Sequence, residues 1–155
     1  MIKEEGLWAG LNRPQVSMEN TDVVVFGIPF DGGVSFLSRD KKMNILKAMD
    51  IRRQGVSKSL EKIREKMEKF SKIYLTIDID VLDPAYAPGT GTPQFGGLDS
   101  RELLNLLYGI FELPIIGFDV VETAPSLDDS KIAVFAARKI IMECWGRYYR
   151  KKLNQ

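Results

Sequence analysis

A chain of 155 residues, 45% hydrophobic and 28% charged, has the composition of a globular domain long enough to bury one core. A net charge of +1 gives no field that would gather nucleic acid, and a single cysteine excludes both a disulfide framework and a thiolate metal cluster. The chain contains no histidine. No apolar run is long enough to span a membrane, and Met1 to Glu5 lack the apolar stretch of a signal peptide. The expectation is a cytoplasmic protein with neither a nucleic-acid nor a membrane partner.

In chain order, the β-branched run from Asp22 to Ile28, ended by Pro29, reads as a buried strand. Phe30 to Ser35 reads as a loop. Asp31, beside Gly32 and Gly33, is most simply a turn residue, with a substrate-facing role as the sharper alternative. Phe36 to Met49 has no clear period. Ser57 to Phe70 is predicted to be a helix, because Leu60, Ile63, Met67 and Phe70 recur at spacings of three and four. Ile73 to Asp80 reads as a strand apolar on both faces, as in a parallel sheet covered by helices. Asp99 and Ser100 begin a helix with Glu102 in capping-box position. Its inner face is predicted to be Leu103, Leu104, Leu107, Ile110 and Phe111.

Ile115 to Val121 is the next strand. A last helix, capped by Asp128, Asp129 or Ser130, is expected to turn Ile132, Phe135, Ala136, Ile140 and Ile141 inward. The basic run Arg147 to Lys152 reads as a solvated helix end. Strand, helix, strand, helix from Ile73 onward predicts an α/β domain with a parallel sheet flanked by helices.

Chemistry concentrates where the strands end. Asp78, Asp80 and Asp83 follow an apolar strand and precede a rigid Pro/Gly loop that runs to Pro93. Glu122 closes the next strand. Ligands of open α/β sheets bind beyond the carboxyl ends of strands, so these acids are expected at one edge. On a regular strand Asp78 and Asp80 would face the same side, and a hard cation would offset their repulsion. Gly89 to Thr92 is not a phosphate loop, since no Gly-Lys-Ser/Thr follows.

Thr76-Ile-Asp78-Ile-Asp80, with Pro84, Pro88-Gly89 and Gly97, resembles a signature of the ureohydrolase (arginase–agmatinase) family. The wording Ala-Pro-Gly-Thr-Gly-Thr-Pro is nearest its agmatinase-like branch. Gly117-Phe-Asp-Val-Val-Glu122 with Pro125, Phe26 to Ser35, and Met49 to Gly55 resemble further family segments. The likeness covers roughly residues 21–36 and 46–147 of a single domain. It implies an arginase-like three-layer α/β/α fold and manganese-dependent hydrolysis of a guanidino compound, such as agmatine to putrescine and urea in polyamine biosynthesis. It also implies a homo-oligomer in the intact family. In such a site two manganese ions activate the attacking water. By resemblance Asp78 and Asp80 are metal ligands, and Glu122 faces the guanidinium.

The family's Gly-Gly-Asp-His and Asp-x-His-x-Asp segments are absent. They would lie between Ser35 and Ile51, where this chain passes in about fifteen residues, far short of a run of βαβ units. The domain therefore reads as internally shortened, with no catalytic residue retained and with doubtful activity alone. Leu75, Ile77 and Val120 are expected to lose their cover, leaving a chain that self-associates, aggregates or pairs with an intact homologue. Two alternatives stand beside this reading. One is a non-catalytic, partner-binding half-domain. The other is a haloacid dehalogenase-type phosphatase in which Asp78 is the nucleophile and Asp128 and Asp129 hold magnesium.

Overall fold

The computed structural model describes residues 24–27 and 46–153. Strand β1, Val24–Gly27, is followed by helices α1, Ala48–Gln54, and α2, Val56–Met67. Strand β2, Ile73–Asp78, runs into a single 3-10 turn, Ile79–Val81. Helix α3, Ser100–Ile110, precedes strand β3, Ile115–Val121, and helix α4, Ile132–Leu153, completes the described chain.

The three strands form one parallel sheet in the order β1-β2-β3. Leu75 pairs with Phe118, Thr76 with Asp119 and Ile77 with Val120, so partners in register share a sheet face. Both strand ends point the same way, and the acids that follow them arrive at one edge of the sheet.

The β2 sequence Ile-Tyr-Leu-Thr-Ile-Asp is apolar on one face only. Ile73, Leu75 and Ile77 are completely buried, whereas Tyr74, Thr76 and Asp78 are half-buried. The expected two apolar faces were a misreading of a strict alternation. Leu75 and Ile77 also keep their cover, contrary to the expectation that shortening would leave them wet, and Val120 is half-buried. Helix α3 shields that face, with Phe111 edge-on to the Phe118 ring at 5.6 Å.

The helices show why certain periodic patterns misled. In α3 the capping box forms as expected: the Asp99 carboxylate accepts from the Arg101 and Glu102 amides, and Glu102 accepts from the Asp99 amide. Leu106, rather than Leu104, is fully buried there. Residues Ala48–Gln54, for which no element was expected, form a helix separated from α2 by Gly55. That glycine has φ of +85°, a left-handed value that favours glycine. Gly109 of α3 admits the Leu60 side chain of α2, since a Cβ there would lie 2.4 Å from Leu60 Cδ1. In α4 the buried side is Ala133, Ala137, Ile140 and Cys144. Phe135, expected inside, is 61% exposed, and Ile132 and Ile141 also face outward.

The basic end of α4 is not merely solvated. Lys151 Nζ donates to the carbonyls of Glu112 and Leu113, both at 2.7 Å, placing a cation at the C-terminal end of α3. Asp31, the join expected between Phe36 and Leu46, and the loop after β1 lie outside the described residues. No described helix is long and apolar enough to cross a membrane.

Candidate metal and substrate site

Asp78 is the last residue of β2, and its Oδ1 accepts a hydrogen bond from the Asp80 amide at 2.9 Å. That bond turns the chain out of the pleat into the 3-10 turn. Asp80 is therefore placed by a tight turn rather than by strand alternation. Its side chain is 7% exposed. One carboxylate oxygen, Oδ2, accepts from the Thr92 hydroxyl. The other, Oδ1, is buried and has no hydrogen-bond partner. A buried carboxylate oxygen left in that state is costly, about 1–3 kcal/mol.

Glu122, just past β3, has φ of +62°, the left-handed region that a glutamate seldom occupies. Its carboxylate lies beside the Pro/Gly loop, where a Cβ at Gly91 would sit 3.9 Å from Glu122 Oε2. Burial raises the Asp78 carboxyl above its ordinary value. The Asp80 amide bond opposes that rise, and the negative charges of Asp80 and Glu122 reinforce it. Asp78, Asp80 and Glu122 thus form one electrostatically coupled group at the carboxyl edge of the sheet.

The Pro/Gly loop holds that edge together. Asp83 accepts from the Ala85 amide at 3.0 Å and from the Gly96 amide at 2.9 Å, so it fastens the loop rather than joining the acidic group. Those amide bonds hold its carboxyl below the usual range. Gly97 lies against the chain at Leu82, where a Cβ would sit 2.4 Å from the Asp83 nitrogen, and its carbonyl accepts from Arg52 at 2.7 Å. Gly89 packs beneath Asp128 and Ala133, with no room for a larger residue. The loop thereby carries Thr92 over Asp80. Sequence reading missed Thr92, because a partner twelve residues downstream across an irregular loop leaves no local signal.

Asp128 has a different task. Its Oδ2 accepts from the Ala133 amide at 2.8 Å and its Oδ1 from the Ser130 hydroxyl, which caps the start of α4. The Ser130 bond is the first cause holding its carboxyl below the usual range. A carboxylate committed in this way offers no free oxygen to magnesium. The phosphatase reading, which required Asp128 and Asp129 as ligands beside an Asp78 nucleophile, is withdrawn for that reason. The Cys144 thiol is buried and pushed up to about 12, which makes it an inert core residue.

Among the described residues no three carboxylate or thiolate side chains converge closely enough to hold one metal ion. With no imidazole anywhere in the chain, the donor set does not fit a two-manganese centre, whose affinity depends on nitrogen ligands as well as carboxylates.

The family model described as the arginase family matches residues 33–146. An agmatinase of Neisseria meningitidis serogroup C is 43% identical over 106 residues, covering 68% of this chain and 34% of that protein. The crystal structure of a hypothetical agmatinase from Burkholderia thailandensis superposes with a TM-score of 0.72 at 36% identity, over 86% of this chain and 40% of that one. Proclavaminate amidino hydrolase from Streptomyces clavuligerus gives a TM-score of 0.66 at 42% identity, over 70% and 36% of the two chains. The chain spans about a third of the length of the curated relatives it matches.

Proposed function

Since the chain belongs to the arginase family, we propose that it is an agmatinase-like ureohydrolase by descent that retains the carboxylate part of the site and does not turn over by itself. The reaction of that reading is hydrolysis of a guanidino C–N bond, with agmatine as the substrate class member and urea as a product. When bound, manganese would supply an activated water. The present residues lack the ligands to hold it, so no step is assigned to the metal here.

The observation that carries the reading is the buried, unpartnered Asp80 Oδ1 beside Asp78 and Glu122. A structural aspartate normally has its oxygens satisfied, as Asp83 and Asp128 do. In this reading Glu122 contributes negative charge for a guanidinium, Asp78 and Asp80 are the surviving metal ligands, and Thr92 positions Asp80. Asp31 is assigned a weak substrate-facing role. The domain is a single one, shortened between Phe36 and Leu46.

The test is urea release from agmatine by the purified chain with added manganese. No urea above the protein-free control is expected. Turnover abolished by Asp78→Ala would overturn the claim that the site is incomplete.

A further inference from the structure

We infer that Arg52 of α1 is a positioning residue for the acidic edge, holding the Pro/Gly loop so that Thr92 stays on Asp80. This deepens the reading of that edge as the surviving part of a site. Helix α1 is a firm base for such a residue, because Ala48 and Ile51 are buried in the core. Next to Ile51, Arg52 reaches the far end of the loop. Its Nη2 donates to the Gly97 carbonyl at 2.7 Å and to the Glu102 carboxylate at 3.4 Å. The two bonds differ in weight. The contact with Glu102 is long and its arginine is 51% exposed, so it contributes little. The bond to Gly97 is short and charge-assisted, which puts it in the stronger class.

Gly97 is where the loop returns to the turn that presents Asp80. Leu98 donates to the Val81 carbonyl at 2.8 Å, and Asp83 donates to the Leu98 carbonyl at 3.0 Å. Gly97 itself presses on Leu82 and Asp83, where a Cβ would lie 2.4 Å from the Asp83 nitrogen. The two ends of the loop therefore meet in a neck with no slack. Asp83 fastens that neck from within, accepting from the Gly96 amide at 2.9 Å. Arg52 fastens it from outside, across 45 residues of sequence. Its charge also reaches the Asp83 carboxyl, adding to the lowering that the Ala85 and Gly96 amides chiefly cause.

The part of the loop that carries Thr92 has little packing of its own. Gly91, Thr92, Pro93 and Phe95 are all exposed. The Thr92 hydroxyl nevertheless donates to Asp80 Oδ2. With no burial to hold it there, that contact depends on where the neck is fixed, and Arg52 ties the neck to α1.

The test is native-state hydrogen exchange with carboxyl-carbon NMR on the full chain at pH 7 without divalent metal. The Thr92, Gly96 and Leu98 amides report the loop and its neck, and the Leu75 and Ile77 amides report the core. Arg52→Gln is expected to lower protection at the loop amides about tenfold or more beyond any change in the core, and to move the Asp80 carboxyl resonance. Arg52→Lys, which keeps the charge and one donor, is expected to recover part of that protection. It also carries the test should the first variant fail to fold, with a loss confined to the loop. Arg53→Gln, at the next position of the same helix, is expected to change neither readout. Loop amides and an Asp80 resonance unmoved by Arg52→Gln would overturn the assignment. An equal fall in the core amides would do the same, because it would mean general stabilisation. So would an equal effect of Arg53→Gln, which would mean charge without contact. Urea release by the wild type would refute the reading of the edge as incomplete and leave this measurement standing.

Discussion

Asp80→Asn should stabilise this protein. In the wild type a 7% exposed carboxylate accepts one hydrogen bond, from the Thr92 hydroxyl, while its Oδ1 is buried without a partner next to two further acids. An unsatisfied buried acceptor of this kind costs about 1–3 kcal/mol, at the upper end when charged. Asparagine keeps the volume and the oxygen that Thr92 uses. It removes the charge but leaves amide hydrogens where the bare oxygen was, returning about 1 kcal/mol of the relief. A net gain of about 1 kcal/mol corresponds to a rise of about 2–4 °C in Tm for a domain of this size.

The assay is calorimetry of both proteins at pH 7 without divalent metal, paired with an NMR titration of Asp78. Because the Asp80 charge is one cause raising the Asp78 carboxyl, the substitution should lower the Asp78 midpoint while burial keeps it above its ordinary value. A destabilisation of about 1 kcal/mol or more would show that the Asp80 charge is a structural requirement rather than a relic of metal binding.

Three other outcomes follow from the same structure. Gly97→Ala should cost about 3 kcal/mol, because the new Cβ would meet the Asp83 nitrogen and the Leu82 carbonyl carbon, neither of which can swing aside; denaturant unfolding measures it, and a loss within error would contradict the tight loop. Asp128→Ala should lower Tm by a few degrees through loss of the α4 cap, whereas Asp129→Ala should leave it unchanged; equal effects would undo the capping assignment. The pH dependence should have opposite contributions. Asp83 and Asp128, both lowered from 3.8, contribute stability present above that value and lost as pH falls through their folded values. Asp78, raised from 3.8, contributes stability at low pH that is lost as pH rises through its folded value. Thermal scans of wild type and Asp78→Asn across pH 2–7 (about the carboxylate range) should therefore diverge above pH ~4.

The open side of α4 shows how far a periodic pattern carries. Apolar residues at Ile132, Phe135 and Ile141 satisfied a helical period, and the helix exists. A period fixes a stripe but not which stripe faces inward: the small residues Ala133 and Ala137 are the buried ones, and Ala133 packs tightly against Gly89 of the Pro/Gly loop. The same limit explains Leu104 and Leu106 in α3. Residues Ala48–Gln54 were illegible because a seven-residue helix is too short to display a period.

The sequence alone determined the parallel α/β class, the capping box at Asp99, the strands that lead to the acids at Asp78 and Glu122, and the likeness to ureohydrolases, whereas it ran the first of those strands on to Asp80. Each of these rests on local spacing or on a contiguous motif. Tertiary structure alone decided that Asp83 is a fastener, that Asp128 is the cap among the three candidates, and that Asp80 keeps a bare oxygen. It also decided that Thr92 reaches Asp80 across twelve residues. Whether a carboxylate is spent or spare depends on which amides and hydroxyls the folded loop brings to it, and side chains distant along the chain carry no mark of that encounter.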